Sequence, residues 1–479
     1  MNYSIIRYVL GTVLKFESLF LLLPVFVGIF YGEKSTTAFL IVAFLCLALG
    51  VLLSFRKPKS YVFYALEGFV SVSLSWVLLS FFGALPFWMC GEIPSFTDAM
   101  FEAVSGFTTT GASILSDVEA LSRCCLFWRS FTHWIGGMGV LVFVLAVFPM
   151  RGGQTMFLMK AESPGPSVEK LVPRVRTTAT ILYAVYTIMT IVEIILLAVT
   201  GMSFFDAVTI SLGTAGTGGF GVVNDSAGSY APHLQVIITV FMILFGVNFN
   251  IYYLLLRKKV KAALQSEELR IYLGIIVASG LLIAWNIRKI FPDPLDALRH
   301  AFFQVGSIIT TTGYSTVDFD LWPQFSTTIL VMLMFVGACA GSTGGGIKVS
   351  RIAIMFKSML KELFLIHHPH GVRKVKLDGR TVEAETRRSI YVFVVSYVLI
   401  YAISLLGISL DNFDFTTNFT AVAATINNIG PGLSMVGPTS NFGLFSDLSK
   451  YILMFDMLAG RLELLPMMVL IAPMTWRRR

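Results

Sequence analysis

Ser95-Phe-Thr-Asp-Ala-Met-Phe-Glu-Ala-Val-Ser-Gly-Phe-Thr-Thr-Thr-Gly-Ala-Ser113 is too short and too polar at its end to cross a bilayer, yet it lies between long apolar runs. The chain repeats this plan. A second copy runs from Ser203 to Val222 and contains Gly213-Thr-Ala-Gly-Thr-Gly-Gly-Phe-Gly221. A third, from Leu298 to Thr316, contains Ile309-Thr-Thr-Thr-Gly-Tyr-Ser315, and a fourth, from Phe415 to Gly437, contains Ile426-Asn-Asn-Ile-Gly-Pro-Gly432. The copies align without gaps: Asp98, Asp206, His300 and Thr417 each stand thirteen positions before Gly111, Gly219, Gly313 and Gly430. One glycine alone reads as a turn or a close packing point. Four at one offset read as an internal repeat.

Each unit predicts a helix, a half-helix of about thirteen residues, a glycine-bearing strand and a second helix. A membrane helix needs about 20 apolar residues, so the half-helix must enter and turn back. Backbone outside regular structure is tolerated at membrane depth only inside protein or along a watery path. Four such loops in one chain call for a shared axis.

Composition agrees. Only 13% of the 479 residues are charged and 56% are hydrophobic, against about 25% charged in soluble domains. Apolar runs such as Leu19 to Tyr31, Ala38 to Phe55, Tyr61 to Met89 and Trp134 to Met150 recur along the chain and give ten expected spans. The fold class is therefore an all-α polytopic membrane protein. It has four helix–pore loop–helix repeats with pseudo-fourfold symmetry and two extra N-terminal transmembrane helices. The expected divisions are a two-helix extension at 1–60, pore repeats at 61–150, 177–260, 270–357 and 389–479, and a basic cytoplasmic loop at 358–388.

The net charge of +8 is concentrated in alternate loops. Arg56, Lys57 and Lys59; Arg151, Lys160, Lys170, Arg174 and Arg176; Arg257, Lys258, Lys259 and Lys261; Lys357 to Arg388; and Arg477, Arg478 and Arg479 mark one side. The positive-inside rule makes that side cytoplasmic, with both termini there. Charge at membrane borders argues against nucleic acid and for lipid headgroups. No removed signal peptide is expected. The five cysteines, Cys46, Cys90, Cys124, Cys125 and Cys339, lack metal-site spacing with histidine and read as small apolar filler, with Cys90 near the outer face.

A cation in a narrow pore sheds water, and rings of backbone carbonyls can replace it. Glycine permits the backbone angles that aim carbonyls inward. The expected ion-binding filter is Thr109, Thr110 and Gly111; Thr217, Gly218 and Gly219; Thr311, Thr312 and Gly313; and Asn428, Ile429 and Gly430. Threonine hydroxyls act as supports. The C-terminal ends of four converging half-helices, each carrying roughly half a negative charge, would favour a cation beneath.

The motifs Thr108-Thr-Thr-Gly-Ala112, Gly218-Gly-Phe220, Thr310-Thr-Thr-Gly-Tyr314, Asn427-Asn-Ile-Gly-Pro-Gly432 and Gly460-Arg-Leu-Glu463 resemble those of the TrkH/TrkG/KtrB/HKT superfamily of potassium transporters, over nearly the whole chain. The resemblance implies potassium uptake, a homodimer, and a bacterial cytoplasmic (inner) membrane location. It also implies regulation by a cytosolic nucleotide-binding ring of TrkA type. This chain has no dinucleotide fingerprint in a strand–helix setting, so the ring would be a separate polypeptide. The resemblance implies K+ as the permeating ion, and no organic cofactor is expected in this chain. In plant relatives a serine at the first filter position accompanies sodium preference; Gly111 here implies potassium.

Gly337-Ala-Cys-Ala-Gly-Ser-Thr-Gly-Gly-Gly-Ile-Lys348 interrupts the helix after the third filter. Each glycine costs roughly 1 kcal/mol in a helix, and the order of residues is not that of a phosphate-binding loop. The resemblance makes this segment a gate, comprising Gly341, Ser342, Thr343, Gly344, Gly345, Gly346 and Lys348, with Arg461 pointing into the pore below the filter. A mid-membrane arginine costs about 2.5–3.5 kcal/mol on insertion scales and so faces water or a partner. Glu463 reads as packing or a salt bridge. Arg129 and His133 read as structural, and His367, His368 and His370 as a solvated loop.

An enzyme is not expected, for want of His-Glu-x-x-His or Gly-x-Ser-x-Gly motifs. The alternative transporter is a Na+- or H+-coupled potassium symporter. It would ordinarily use inverted repeats, whereas these four repeats share one orientation.

Overall fold

The computed structural model describes residues 1–58, 64–139 and 175–477. Lys59, Arg151, Lys160, Lys170, Arg174, Arg478, Arg479 and the Arg176 side chain lie outside the described residues.

Six described helices are long and apolar enough to cross a membrane: Tyr3–Tyr31, Thr36–Ser54, Ala65–Met89, Ala179–Val199, Glu267–Ile287 and Ala384–Asp411. The first two form an N-terminal pair, pinned by the Ser18 hydroxyl donating to the Ala43 carbonyl at 2.7 Å. Each of the other four opens a repeat. The half-helices follow: Phe96–Phe107, Phe204–Gly216, Pro294–Ile309 and Phe415–Ile426.

The half-helices begin on side-chain caps, which satisfy otherwise orphaned amides. Ser95 accepts from the Asp98 amide at 3.3 Å, Ser203 from Asp206 at 3.1 Å, and Asp414 from Thr417 at 3.0 Å. The thirteen-residue offset therefore runs from the third helical residue to the glycine. The third half-helix is the exception. It starts one turn earlier, capped by Asp293 with Pro294 in its first turn, so His300 sits mid-helix and bonds Thr316 at 2.8 Å.

Ten spans are expected, and among the described residues the second helices of the second, third and fourth repeats are broken. Pro232–Phe245 and Phe249–Leu256 meet at a 91° bend. Gln324–Met334 stops before the glycine-rich loop, and Val349–His367 resumes beyond it. Asp447–Arg461 gives way to Leu465–Ile471 across Glu463 and Leu464, both with positive φ. Arg123–Met138 ends at Gly139, at the limit of the described segment. Of these breaks only the one at Gly337–Lys348, in the third repeat, is legible in the sequence, because composition cannot distinguish a straight apolar helix from one broken within protein.

What permits a break is tertiary. At the end of Pro232–Phe245, the Ile243 carbonyl accepts from the Tyr272 hydroxyl at 3.0 Å and Leu244 from the Tyr252 hydroxyl at 2.6 Å. Phe245 accepts from Thr343 at 3.2 Å, and Gly246 from the Cys339 amide at 3.1 Å. Four carbonyls that would be orphaned in lipid are thus supplied with donors from other elements.

Candidate functional site

Each half-helix ends the same way. The amides of Thr109, Thr217, Thr311 and Asn428 bond back to Gly106, Thr214, Ile308 and Thr425. The next amides, of Thr110, Gly218, Thr312 and Ile429, reach Ser105, Gly213, Ser307 and Ala424. This is the Schellman pattern, whose turning residue is left-handed and usually glycine. Here it is Thr109, Thr217, Thr311 and Asn428, at φ of 55°, 55°, 60° and 56°. A β-branched residue rarely takes that conformation. Its recurrence at three of four equivalent sites marks strain held in place by the surroundings. Sequence reading assigned the unusual angles to the glycines alone. The repeated residue two places earlier was the available signal.

The four glycines, Gly111, Gly219, Gly313 and Gly430, also have positive φ, from 78° to 103°. They line one cavity of about 130 Å³. Around it the repeats close head to tail. A Cβ on Gly111 would overlap the carbonyl oxygen of Gly218; one on Gly219, that of Thr312; one on Gly313, that of Ile429. A Cβ on Gly430 would come within 2.8 Å of the Thr110 carbonyl, which completes the circuit. The carbonyl before each glycine thus abuts the preceding repeat's glycine, as four equivalent strands around one axis require.

Polar contacts brace the ring from behind. Glu102 and Arg129 form a buried ion pair at 2.8 Å. Arg129 donates onward to the Gly221 carbonyl at 3.1 Å and covers the Phe220 ring. His133 bonds the Gly106 carbonyl through Nδ1 at 2.8 Å, and its Nε2 accepts from the Phe220 amide at 3.2 Å. These residues tie the first repeat to the second. Asn428 ties the fourth to the first, donating to the Thr110 hydroxyl at 2.9 Å. Threonine hydroxyls pair within repeats, Thr108 with Thr110 at 2.8 Å and Thr310 with Thr312 at 2.7 Å.

The loop from Gly337 to Lys348 packs under this ring. The Gly345 amide donates to the Thr311 hydroxyl at 2.7 Å, and Gly344 lies against the Thr310 carbonyl. Gly341 accepts from the Phe249 amide at 3.0 Å, and the Ser342 hydroxyl turns back to Cys339 at 2.7 Å. Gly346, at φ 66°, packs on Gly337. Buried Lys348 directs its ammonium onto the carbonyls of Gly344 and Gly345. Glu268, which sequence reading passed over, holds both ends of the loop: one carboxylate oxygen accepts from the Ala340 amide at 2.7 Å and the Ser350 amide at 3.1 Å.

Arg461 joins three repeats. It donates to the Thr343 carbonyl of the loop at 2.8 Å and to the Gly136 and Gly137 carbonyls, at 2.6 and 2.5 Å, near the end of Arg123–Met138. A guanidinium there also suits the negative end of that helix. Glu463 forms an ion pair with Arg351. His367, His368 and His370 are exposed.

Comparison with known proteins follows the same lines. The TrkH family model, described as "Cation transport protein", matches residues 35–282 and 292–478. The Trk system potassium uptake protein TrkH of Salmonella typhimurium is 36% identical across the whole of both chains. The Escherichia coli K12 protein TrkG is 34% identical over 99% of this chain and 98% of its own. The crystal structure of the potassium transporter TrkH from Vibrio parahaemolyticus superposes with a TM-score of 0.89 at 32% identity, covering all of both chains.

Proposed function

Because the chain belongs to the TrkH family of cation transport proteins and is a multi-pass membrane protein, we propose that it takes up potassium as the gated ion-translocating subunit of a Trk-type system. The observation that carries this reading is the head-to-tail circuit of Gly111, Gly219, Gly313 and Gly430 against the carbonyls of Gly218, Thr312, Ile429 and Thr110. Four main-chain oxygens around one axis supply the ligands that a dehydrated cation needs. Four half-helix C-termini converge below and add negative potential.

The filter is 109–111, 217–219, 311–313 and 428–430, within pore units 61–150, 177–260, 270–357 and 389–479. Both termini and the basic loop 358–388 face the cytoplasm across the inner membrane, so an inside-negative potential drives entry by about 2.3 kcal/mol per charge per 100 mV. The loop with Gly341, Ser342, Thr343, Gly344, Gly345, Gly346 and Lys348 is the gate. Arg461 latches it and places a positive charge under the filter. The working assembly is a homodimer with a separate nucleotide-binding ring of TrkA type.

Rubidium uptake into proteoliposomes, with potassium, sodium and lithium as competitors, tests this. Potassium should compete strongly and lithium weakly. Equal competition by all three would overturn the filter assignment.

A further inference from the structure

Two of the five cysteines meet where two helix ends come together. Cys90 caps the C-terminal end of Ala65–Met89 and is half-buried; Cys125 is buried in the first turn of Arg123–Met138. Their sulfurs are 3.9 Å apart. Glu92 brings a carboxylate to the same point, and the two sulfurs and a carboxylate oxygen all lie within 4.8 Å of one another.

We propose that Cys90, Cys125 and Glu92 form a binding site for a thiophilic divalent cation of the zinc class, at the two helix ends that flank the first half-helix. Tetrahedral zinc with Zn–S bonds of about 2.3 Å holds two thiolates about 3.8 Å apart, which is the separation present. A disulfide needs about 2.05 Å between sulfurs, so bridging would require the pair to close by nearly half.

The carboxylate is already oriented. Glu92 Oε1 accepts from the Ser35 hydroxyl at 2.5 Å and the Ser122 hydroxyl at 2.6 Å, while Oε2 accepts from the Ser122 amide at 3.0 Å. A carboxylate offers about four lone-pair sites, so Oε2 retains one for a metal. Hydrogen bonds of this kind orient metal-binding carboxylates. Cys90 and Glu92 are partly exposed, which gives the ion an entry path and leaves the fourth position to solvent. The ligands flank the first half-helix, so an ion here ties together the two helix ends between which that segment hangs. Sequence spacing hid the site because Cys125 lies 35 positions beyond Cys90.

The test uses full-length protein in detergent, reduced, stripped with EDTA and loaded with Zn2+ alone. Metal per chain and mass-mapped maleimide labelling are measured. One zinc per chain should bind. Cys90→Ser and Cys125→Ser should each abolish binding, and Ser122→Ala should weaken it by about 10–100-fold. Binding should fall with falling pH, since zinc displaces thiol protons. In the unaltered protein, zinc should protect Cys90 from maleimide and EDTA should restore labelling, an arm that needs no variant to fold. Labelling indifferent to zinc, zinc retained when both cysteines are replaced, or a Cys90–Cys125 disulfide in the protein as isolated would overturn the proposal. Ion flux is not a readout, so the outcome is separate from that of the uptake experiment.

Discussion

Arg461 donates to the Thr343 carbonyl at 2.8 Å while the same guanidinium holds the carbonyls of Gly136 and Gly137. One side chain from the fourth repeat thereby fastens the third repeat's loop to the first repeat's helix end.

Removing that fork should loosen the loop and withdraw a positive charge. Hydrogen bonds to charged groups contribute about 1.5–3 kcal/mol each. Arg461→Ala should therefore speed rubidium flux by roughly tenfold or more per reconstituted protein. Arg461→Lys, which keeps the charge but loses the planar fork, should lie between. Slower flux from Arg461→Ala at equal incorporation would contradict the latch.

Glu268 should act from the other side of the loop. Glu268→Ala leaves the Ala340 and Ser350 amides buried without their acceptor, at about 1–3 kcal/mol for each unsatisfied group. Faster amide exchange across Gly337–Lys348 and a raised basal flux are expected, with Glu268→Gln restoring most of both. Unchanged exchange in the alanine variant would show that the loop is held elsewhere.

At Gly111 a side chain meets two obstacles, a φ of 78° and the Gly218 carbonyl. The left-handed conformation costs a non-glycine residue about 1–2 kcal/mol, and relief comes by displacing that carbonyl. Gly111→Ser should lower the potassium-to-sodium flux ratio by roughly 5–30-fold. An unaltered ratio would remove Gly111 from the filter.

The Glu102–Arg129 pair should matter chiefly for stability. Breaking a buried pair by removing one partner costs about 3–5 kcal/mol. Glu102→Ala should lower the thermal midpoint of the detergent-solubilised protein more than Arg461→Ala does. Similar midpoints for the two variants would count against a bracing role.

Periodicity and composition were enough to read the repeat, the short half-helices and the glycine positions, because these depend on local chain properties. Apolar length separates spanning from re-entrant segments, and a thirteen-residue offset survives in the linear text. The loop at Gly337–Lys348 was legible for the same reason, since consecutive glycines disfavour helix wherever they occur. The left-handed turns at Thr109, Thr217 and Thr311 were not, because no local preference asks β-branched residues to adopt them, whereas Asn428 is of a type that takes that conformation more readily. The surrounding repeats impose that conformation.

Local chain properties suffice to specify a polytopic helical membrane chain with four like-oriented repeats and one glycine at a fixed place in each. Packing between elements sets which carbonyl faces which glycine, where Pro232–Leu256 bends, that Glu268 spans the third repeat's own loop, and that His133 and Arg461 reach across repeats. Those outcomes depend on donors meeting orphaned carbonyls and amides from segments up to hundreds of residues away. A buried polar group away from water is stable only when such a partner arrives, and no local pattern records that meeting.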